Sequence, residues 1–290
     1  MTVETLSPDL QPDQQPTRWD DHVSLYEAVF EPLTNAFAAR ALDALGVGPG
    51  LFCLDVGAGS GGTALLAARR GASVLAVDAS SRMAQRIAAR ARSVNRGRVY
   101  TAVMDGRELA LANASIDIAL SIFGLILFPD PVGALREIGR VLKPGGRVAV
   151  VTWTEPHQYE LVARVGAAVT AVRGPQPAPA TLPAQLRFCE EATFRGLFEQ
   201  AGFTVERITA MEDSLCASSA RWLIKRLAFA PGLGTWLAAQ GDDRAAVLER
   251  FAADLERDQG LGPVVLTAVA FLGVARRRGS SRSGDVPRPS

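Results

Sequence analysis

Three aspartates and a knot of glycines are the residues whose types and spacing could do chemistry. Residues 51–62 read LFCLDVGAGSGG: an apolar run ends in Asp55, and glycines follow at 57, 59, 61 and 62. Glycine lets the backbone turn sharply and lets a ligand approach the main chain. The ALLAARR run after it reads as a helix, whose first N–H groups would face an anionic group. Asp78 ends SVLAVD (73–78), 21 residues after Gly57, and Asp105 ends RVYTAVMD (98–105). A carboxylate at the end of the second strand can accept hydrogen bonds from both hydroxyls of a ribose lying over the first. Ser80 and Ser81 open the helix MAQRIAARAR and suit its cap. Together these pieces describe a site for a nucleotide-like ligand.

The glycines alone leave two ligands open. Gly57, Gly59 and Gly62 give the GxGxxG of NAD- and FAD-binding folds, while Gly57, Gly59 and Gly61 give the GxGxG of S-adenosylmethionine enzymes. Four features favour S-adenosylmethionine. Asp55 stands two residues before the first glycine, where it can hold a methionine ammonium, directly or through water, or order the loop. It would be a poor neighbour for a pyrophosphate. Asp105 can accept the exocyclic N–H of an adenine. A long helical N-terminus precedes the first strand, and a helix–KPGG–strand element follows the fourth.

The elements that must position these residues read in order. Residues 1–17, polar and Pro-rich, predict a flexible tail. From Trp19 to Leu45 apolar residues recur every three or four positions, predicting one or two amphipathic helices with a break near Pro32. Strands are expected at 51–56, 73–78, 98–105, 117–122 and 147–153. Helices are expected at 62–70, after Ser80 and at 132–142, with KPGG (143–146) as a reversal. That alternation predicts an α/β fold with a mostly parallel sheet covered on both faces. Beyond Trp153 the rhythm breaks. Helices are expected at 157–172, 190–202, 217–229 and 242–258, strands at 203–210 and 262–277, and irregular Pro/Ala chain at 174–183. An Arg/Ser/Pro-rich tail, 278–290, ends the sequence.

LDVGAGSG, LAVD, VMDG and FPDPVGALREIGRVLKPGGRVAVVTW resemble the class I S-adenosylmethionine-dependent methyltransferases, and within them the ubiquinone/menaquinone-biosynthesis-like small-molecule enzymes. The resemblance is close over 20–153 and loose over 188–210 and 262–277. It implies a Rossmann-like seven-stranded sheet whose last strand is antiparallel, with helices on both faces. It also implies one domain over 18–277, with a helical substrate cap from insertions at 154–187 and 211–261. Carried over by position, Gly57, Ala58 and Gly59 meet the methionine end of S-adenosyl-L-methionine, with Asp55 beneath. Asp78 and Ala79 lie at the ribose, Met83 packs on the adenine, and Met104, Asp105 and Gly106 read its edge. Ser121 and Ile122 lie beside the sulfonium, and Tyr26 is a candidate lid over the cofactor carboxylate; ordinary core packing is the alternative for Met83 and Tyr26.

Methyl transfer from a sulfonium needs alignment above all, so an obvious catalytic side chain is not required. His157, in WTEPHQ after strand five, is the candidate general base, and the same place suits a helix-start residue after Pro156. Glu155 and His22 are weaker candidates. Phe123, Phe128 and Trp153 could line an acceptor pocket. Trp222, Leu223, Phe229, Leu233, Trp236 and Leu237 are more apolar surface than one thin helical layer buries, implying a hydrophobic small-molecule acceptor of quinone, polyketide or terpenoid type. The same patch would serve a homodimer. The reading is a transferase of secondary metabolism that methylates oxygen or carbon. Alternatives are a cyclase or isomerase retaining the cofactor unreacted, a NAD(P)-dependent oxidoreductase, which lacks a recognisable Tyr/Lys proton relay, and a non-catalytic partner subunit.

A net charge of +1 offers no field for nucleic acid or an anionic membrane. Cys53, Cys189 and Cys216 lie far apart, which reads as free thiols in a reducing compartment and gives no zinc spacing. With no signal peptide and no apolar run of spanning length, the expected place is the cytoplasm.

Overall fold

A computed structural model describes residues 10–177, 183–227 and 232–278. The chain enters through three helices, α1 (Pro16–Asp20), α2 (Val23–Val29) and α3 (Glu31–Leu45), with Pro32 in the first turn of α3. Proline is tolerated there because its missing N–H would be unbonded anyway. Gly46, at φ +66°, ends α3 in the left-handed conformation.

The β/α alternation follows as β1 (Phe52–Val56), α4 (Gly62–Arg69), β2 (Ser73–Asp78), α5 (Ser81–Ala91), β3 (Arg98–Val103), β4 (Ile116–Ile122), α6 (Pro131–Val141) and β5 (Leu142–Trp153). The later elements are α7 (Glu160–Arg173), α8 (Glu191–Gln200), β6 (Phe203–Ala217), α9 (Ala220–Ile224), α10 (Leu233–Ala238), α11 (Arg244–Gln259) and β7 (Val264–Arg277). All seven strands form one sheet in the order β3-β2-β1-β4-β5-β7-β6, with β7 antiparallel to both neighbours. Cys53, Leu54 and Val56 of β1 are buried, as a strand covered on both faces requires. The strand order reverses at β1: the chain runs outward through β2 and β3, then crosses back to place β4 on the other side of β1. A crevice therefore opens at the C-terminal ends of β1 and β4.

The seven-stranded sheet and its antiparallel last strand match the expectation, with local differences. KPGG does not precede β5 but lies inside it, with Gly145 at φ +76° and a register shift opposite Ile116 and Ile118. β3 stops at Val103, so Met104 and Asp105 stand in the turn beyond it. β6 continues to Ala217, pairing with β7 all the way from Phe203 to Ala217. Residues 211–217, assigned to the cap by sequence, are thus sheet; Glu212 and Asp213 obscure the alternation of buried Met211, Leu215 and Ala217. The helix expected at 217–229 is only α9, begun by Ser219, whose Oγ accepts from Trp222 N at 3.1 Å. Phe229 lies outside the described residues, as do residues 1–9 and 279–290 of the two tails. Helix α10 had no forecast, because Gly232 and Gly234 interrupt its apolar pattern. Residues 10–17, read as tail, fold into a 3₁₀ turn at Pro12–Gln14 and the start of α1, and bury Asp13. No helix among the described residues is long and apolar enough to cross a membrane.

Candidate functional site

The loop after β1 is held by its own backbone. Gly57 and Ala58 N–H both donate to Val77 O (3.0 and 3.1 Å), and Gly59 N–H donates to Asp78 Oδ2 at 2.8 Å. Gly57, Gly59 and Gly61 all have positive φ (+68°, +56° and +92°), which L side chains rarely adopt. A Cβ on Gly57 would lie 3.0 Å from Gly124 Cα, and one on Gly59 would lie 3.5 Å from the Tyr26 ring. The loop is therefore a narrow ledge between the β4 side and α2.

Beneath it Asp55 is 1% exposed. The Ala64 N–H of α4 bonds to its carboxylate, while Oδ2 has no partner. This helix N-terminus thus faces a carboxylate of the chain itself. Burial, and then the charge of Asp78, push the Asp55 pKa up to about 7, with the Ala64 bond opposing. Asp78 accepts from Gly59 N and, through Oδ1, from Ser80 N at 2.9 Å; burial still raises it to about 6. Ser80 caps α5, its Oγ accepting from Met83 N (3.1 Å) and donating to Asp20 Oδ1 (2.6 Å).

Behind the ledge, Arg90 makes a bidentate pair with Glu31 (2.6 and 2.9 Å) and also donates to Glu27 and to Ser60 O. Ser60 Oγ donates to Glu31 as well. This partly buried network ties α2, α3 and α5 to the glycine loop.

One cavity collects most of the expected cofactor residues. Tyr26, Gly57, Gly59, Asp78, Ala79, Met83, Met104, Asp105 and Gly106 line it. Tyr26 Oη bonds to Thr34 Oγ1 at 3.2 Å, and its burial pushes the phenol pKa well up. Burial would raise Asp105, yet the Arg107 guanidinium (2.6 and 3.0 Å) and backbone N–H hold it below the usual carboxylate range. Gly106 permits close approach: a Cβ there would lie 2.4 Å from Phe128 and 2.7 Å from Val56.

Six candidates do not line the cavity, the weaker base candidates His22 and Glu155 among them. Asp55 and Ala58 lie behind the ledge. Ser121 is fully buried, its Oγ donating to Val56 O and accepting from Leu125 N, so it braces the chain while Ile122 beside it meets the cavity. His157 is the clear correction. Its side chain is 70% exposed and its Nδ1 lies 3.2 Å from Glu155 Oε2, because the 3₁₀ turn Pro156–Gln158 turns it to solvent. Tyr159, two residues on, lines the cavity instead.

The far half of the cavity is aromatic and apolar. Trp153 stacks between Phe123 (4.0 Å, 25°) and Tyr159 (4.7 Å, 16°), and Phe37 meets two of the rings edge-on. Phe30, Leu33, Ile126, Leu127, Phe128 and Leu161 continue the wall. Among the described cap residues proposed from sequence, only Leu233 lines the cavity. Leu223 and Leu237 are core, Trp236 packs near Gly166, and Trp222 carries the Arg226 guanidinium 4.1 Å over its ring. Asp13, Gln14, Pro16, Trp19 and Gln185 also line it, and sequence reasoning missed them all. The one signal was Pro12 and Pro16, each at a helix start.

The described residues lining the cavity include Asp13, Asp78 and Asp105 but no Lys, Arg or His. Together with the unpartnered Asp55 oxygen, that donor-poor, acid-rich setting fits a cationic nucleoside and opposes a pyrophosphate.

A family profile described as "Methyltransferase domain" matches residues 54–150. An uncharacterized protein of Mycobacterium tuberculosis is 36% identical over 134 residues, 46% of this chain and 47% of that protein, so the chain spans about half the length of this relative. Nocamycin O-methyltransferase of Saccharothrix syringae is 30% identical over 263 residues, covering 86% of this chain and 93% of the relative. The solved structure of the YcgJ protein from Bacillus subtilis covers 84% of this chain and 98% of its own at 20% identity, with a TM-score of 0.56, a likeness of fold.

Proposed function

The chain belongs to the class I S-adenosylmethionine-dependent methyltransferases, and from that membership we propose that it transfers a methyl group from S-adenosylmethionine to oxygen or carbon of a hydrophobic small molecule. The observation that carries this reading is one cavity with two unlike halves. An acid-lined ledge at the ends of β1 and β2 opens directly onto a wall of stacked rings.

When bound, S-adenosylmethionine supplies a methyl group already activated on a sulfonium. Asp78, fixed by two backbone N–H groups, would take the ribose hydroxyls. Asp105 and the Met104–Gly106 main chain would meet the adenine edge, with Met83 against its face. Tyr26 would close over the methionine end, and Asp55 would sit beneath it as the counter-charge to an ammonium. The work left to the protein is alignment, for which a held near-attack geometry is worth about 7–11 kcal/mol. Phe123, Trp153 and Phe128 exclude water and hold the acceptor against the ledge. No histidine lines the described cavity, so an acceptor that enters neutral and loses its proton to solvent as the methyl is transferred suits it.

The test has two parts. Thermal-shift titration with S-adenosylmethionine, S-adenosylhomocysteine, NAD and NADP should show stabilisation by the first two alone. Incubation with methyl-labelled cofactor and neutral, organic-extractable metabolites should then move label into the organic phase. Consumption of a metabolite without label transfer would replace the methyltransferase with a cyclase or isomerase, and stabilisation by NAD(P) alone would replace the cofactor.

A further inference from the structure

Two polar atoms in the aromatic half of the cavity are buried and unpartnered: Tyr159 Oη and Gln185 Oε1. Gln185 is 7% exposed. Its orientation is fixed by chemistry. Asp13 Oδ2 lies 2.5 Å from Gln185 Nε2, and a carboxylate accepts, so the amide nitrogen must face Asp13 and Oε1 is the free atom. Asp13 is itself anchored, Oδ2 also taking the Gly232 N–H and Oδ1 the Arg18 Nε–H at 3.0 Å. Gln11 adds a second tie, its Oε1 accepting Ala184 N–H at 2.9 Å. The N-terminal segment thus locks the glutamine from behind. The Tyr159 hydroxyl is equally constrained, because its ring is stacked on Trp153 and cannot turn away without breaking that stack. Buried polar atoms in native proteins are nearly always bonded, and exceptions mark places that something else completes.

We propose that Gln185 Oε1 and Tyr159 Oη are the polar contacts that recognise the methyl acceptor, which is an uncharged, largely apolar molecule carrying an O–H or N–H for Gln185 and a lone-pair oxygen or nitrogen for Tyr159. The inference rests on the methyltransferase reading above. The acceptor is uncharged on two counts. No described cation lines the cavity to meet an anion, and both oxygens of Asp13, the carboxylate at this end, are already taken by donors. Asp13 is a positioning residue, acting through Gln185. A site built to bond a polar group rejects the analogue lacking it far more strongly than an apolar pocket rejects a missing methylene.

The probe is 2,3-dihydroxynaphthalene, with naphthalene and 2-naphthoate as controls. Binding is read by tryptophan fluorescence in full-length protein saturated with S-adenosylhomocysteine. The wild type should prefer the diol over naphthalene and over the anionic naphthoate. Tyr159→Phe keeps the ring and removes only Oη, and Gln185→Leu removes the acceptor. Each should weaken the diol about tenfold or more and leave naphthalene unchanged. Tyr159→Phe should also melt no lower than the wild type, since the free protein loses no bond; that separates recognition from folding even if Gln185→Leu is destabilised. No diol preference in the wild type, tighter naphthoate binding, or variants that bind the diol as the wild type does would each overturn the proposal. Calorimetry with S-adenosylhomocysteine runs in parallel: failure there sinks the methyltransferase reading, whereas intact binding without diol preference sinks only this one.

Discussion

Replacing Asp55 by asparagine should stabilise the free protein at alkaline pH while weakening its hold on the cofactor. The carboxylate is buried under the glycine ledge with one oxygen unpartnered, and burial with the nearby Asp78 charge lifts it from 3.8 to about 7. A folded-state pKa above the unfolded value means that protonation favours the fold. The stabilising contribution is complete below about pH 4 and is lost as pH rises through about 7. At about 1.36 kcal/mol per pH unit, burying this group costs roughly 1.5 kcal/mol at pH 5, where the fold keeps it protonated, and roughly 4 kcal/mol at pH 8, where it is ionised. Asparagine has the same shape, keeps an oxygen for the Ala64 N–H and carries no charge at any pH. The variant's advantage should therefore grow by about 2.5 kcal/mol between pH 5 and pH 8. At about 2–4 °C per kcal/mol for a chain of this size, the gap in Tm should widen by about 5–10 °C. Differential scanning fluorimetry without ligand reads this directly. Calorimetry with S-adenosylhomocysteine should show the loss of affinity that makes the buried charge worth keeping. A gap that stays constant with pH, or a variant less stable at both values, would refute the reasoning: the carboxylate would then be satisfied where it lies.

Other perturbations follow from the same geometry. Gly57→Ala forces φ +68° on a side chain and sets a Cβ 3.0 Å from Gly124 Cα; left-handed backbone alone costs about 1–2 kcal/mol, so both the melting temperature and S-adenosylhomocysteine affinity should fall, by scanning fluorimetry and calorimetry. Arg90→Met strands the buried Glu31 carboxylate, a loss of about 3–5 kcal/mol that chemical denaturation should detect. His157→Ala should change stability by no more than about 0.5 kcal/mol and leave kcat/KM for methyl transfer unaltered, because the imidazole faces solvent; a large fall in rate with retained cofactor affinity would return it to the mechanism.

The cofactor half was legible in the sequence because its signals are local. Positive-φ glycines, a carboxylate at the end of β2 and a serine cap before α5 all lie within about two dozen residues. The acceptor half was not, for the opposite reason. Asp13, Gln185 and Gly232 meet across separations of 172 and 219 residues, and no period links them. His157 misled because chemical type was visible and direction was not: a 3₁₀ turn sends the imidazole outward and brings Tyr159 in. The expected polar tail failed similarly, since one buried aspartate with three donors organises residues that composition alone leaves free.

The two halves also differ in how far their polar groups are bonded within the chain. On the ledge, Gly57 and Ala58 spend their N–H groups on Val77, Gly59 on Asp78 and Ala64 on Asp55, and Arg90 braces the loop from behind. The loop's shape is thus set by bonds within the chain itself, which lowers the ordering cost of binding. The aromatic half keeps Tyr159 Oη and Gln185 Oε1 in reserve, set by contacts from outside the β/α frame. The polar contacts of that half thus come from the N-terminal segment, the 3₁₀ turn at Ala184–Leu186 and the turn after β5 that leads to Tyr159. None of those three segments is a strand of the sheet. On the proposed reading, that separation would let the frame keep its cofactor ledge while the contacts to an acceptor change, in segments where sequence periodicity is weakest.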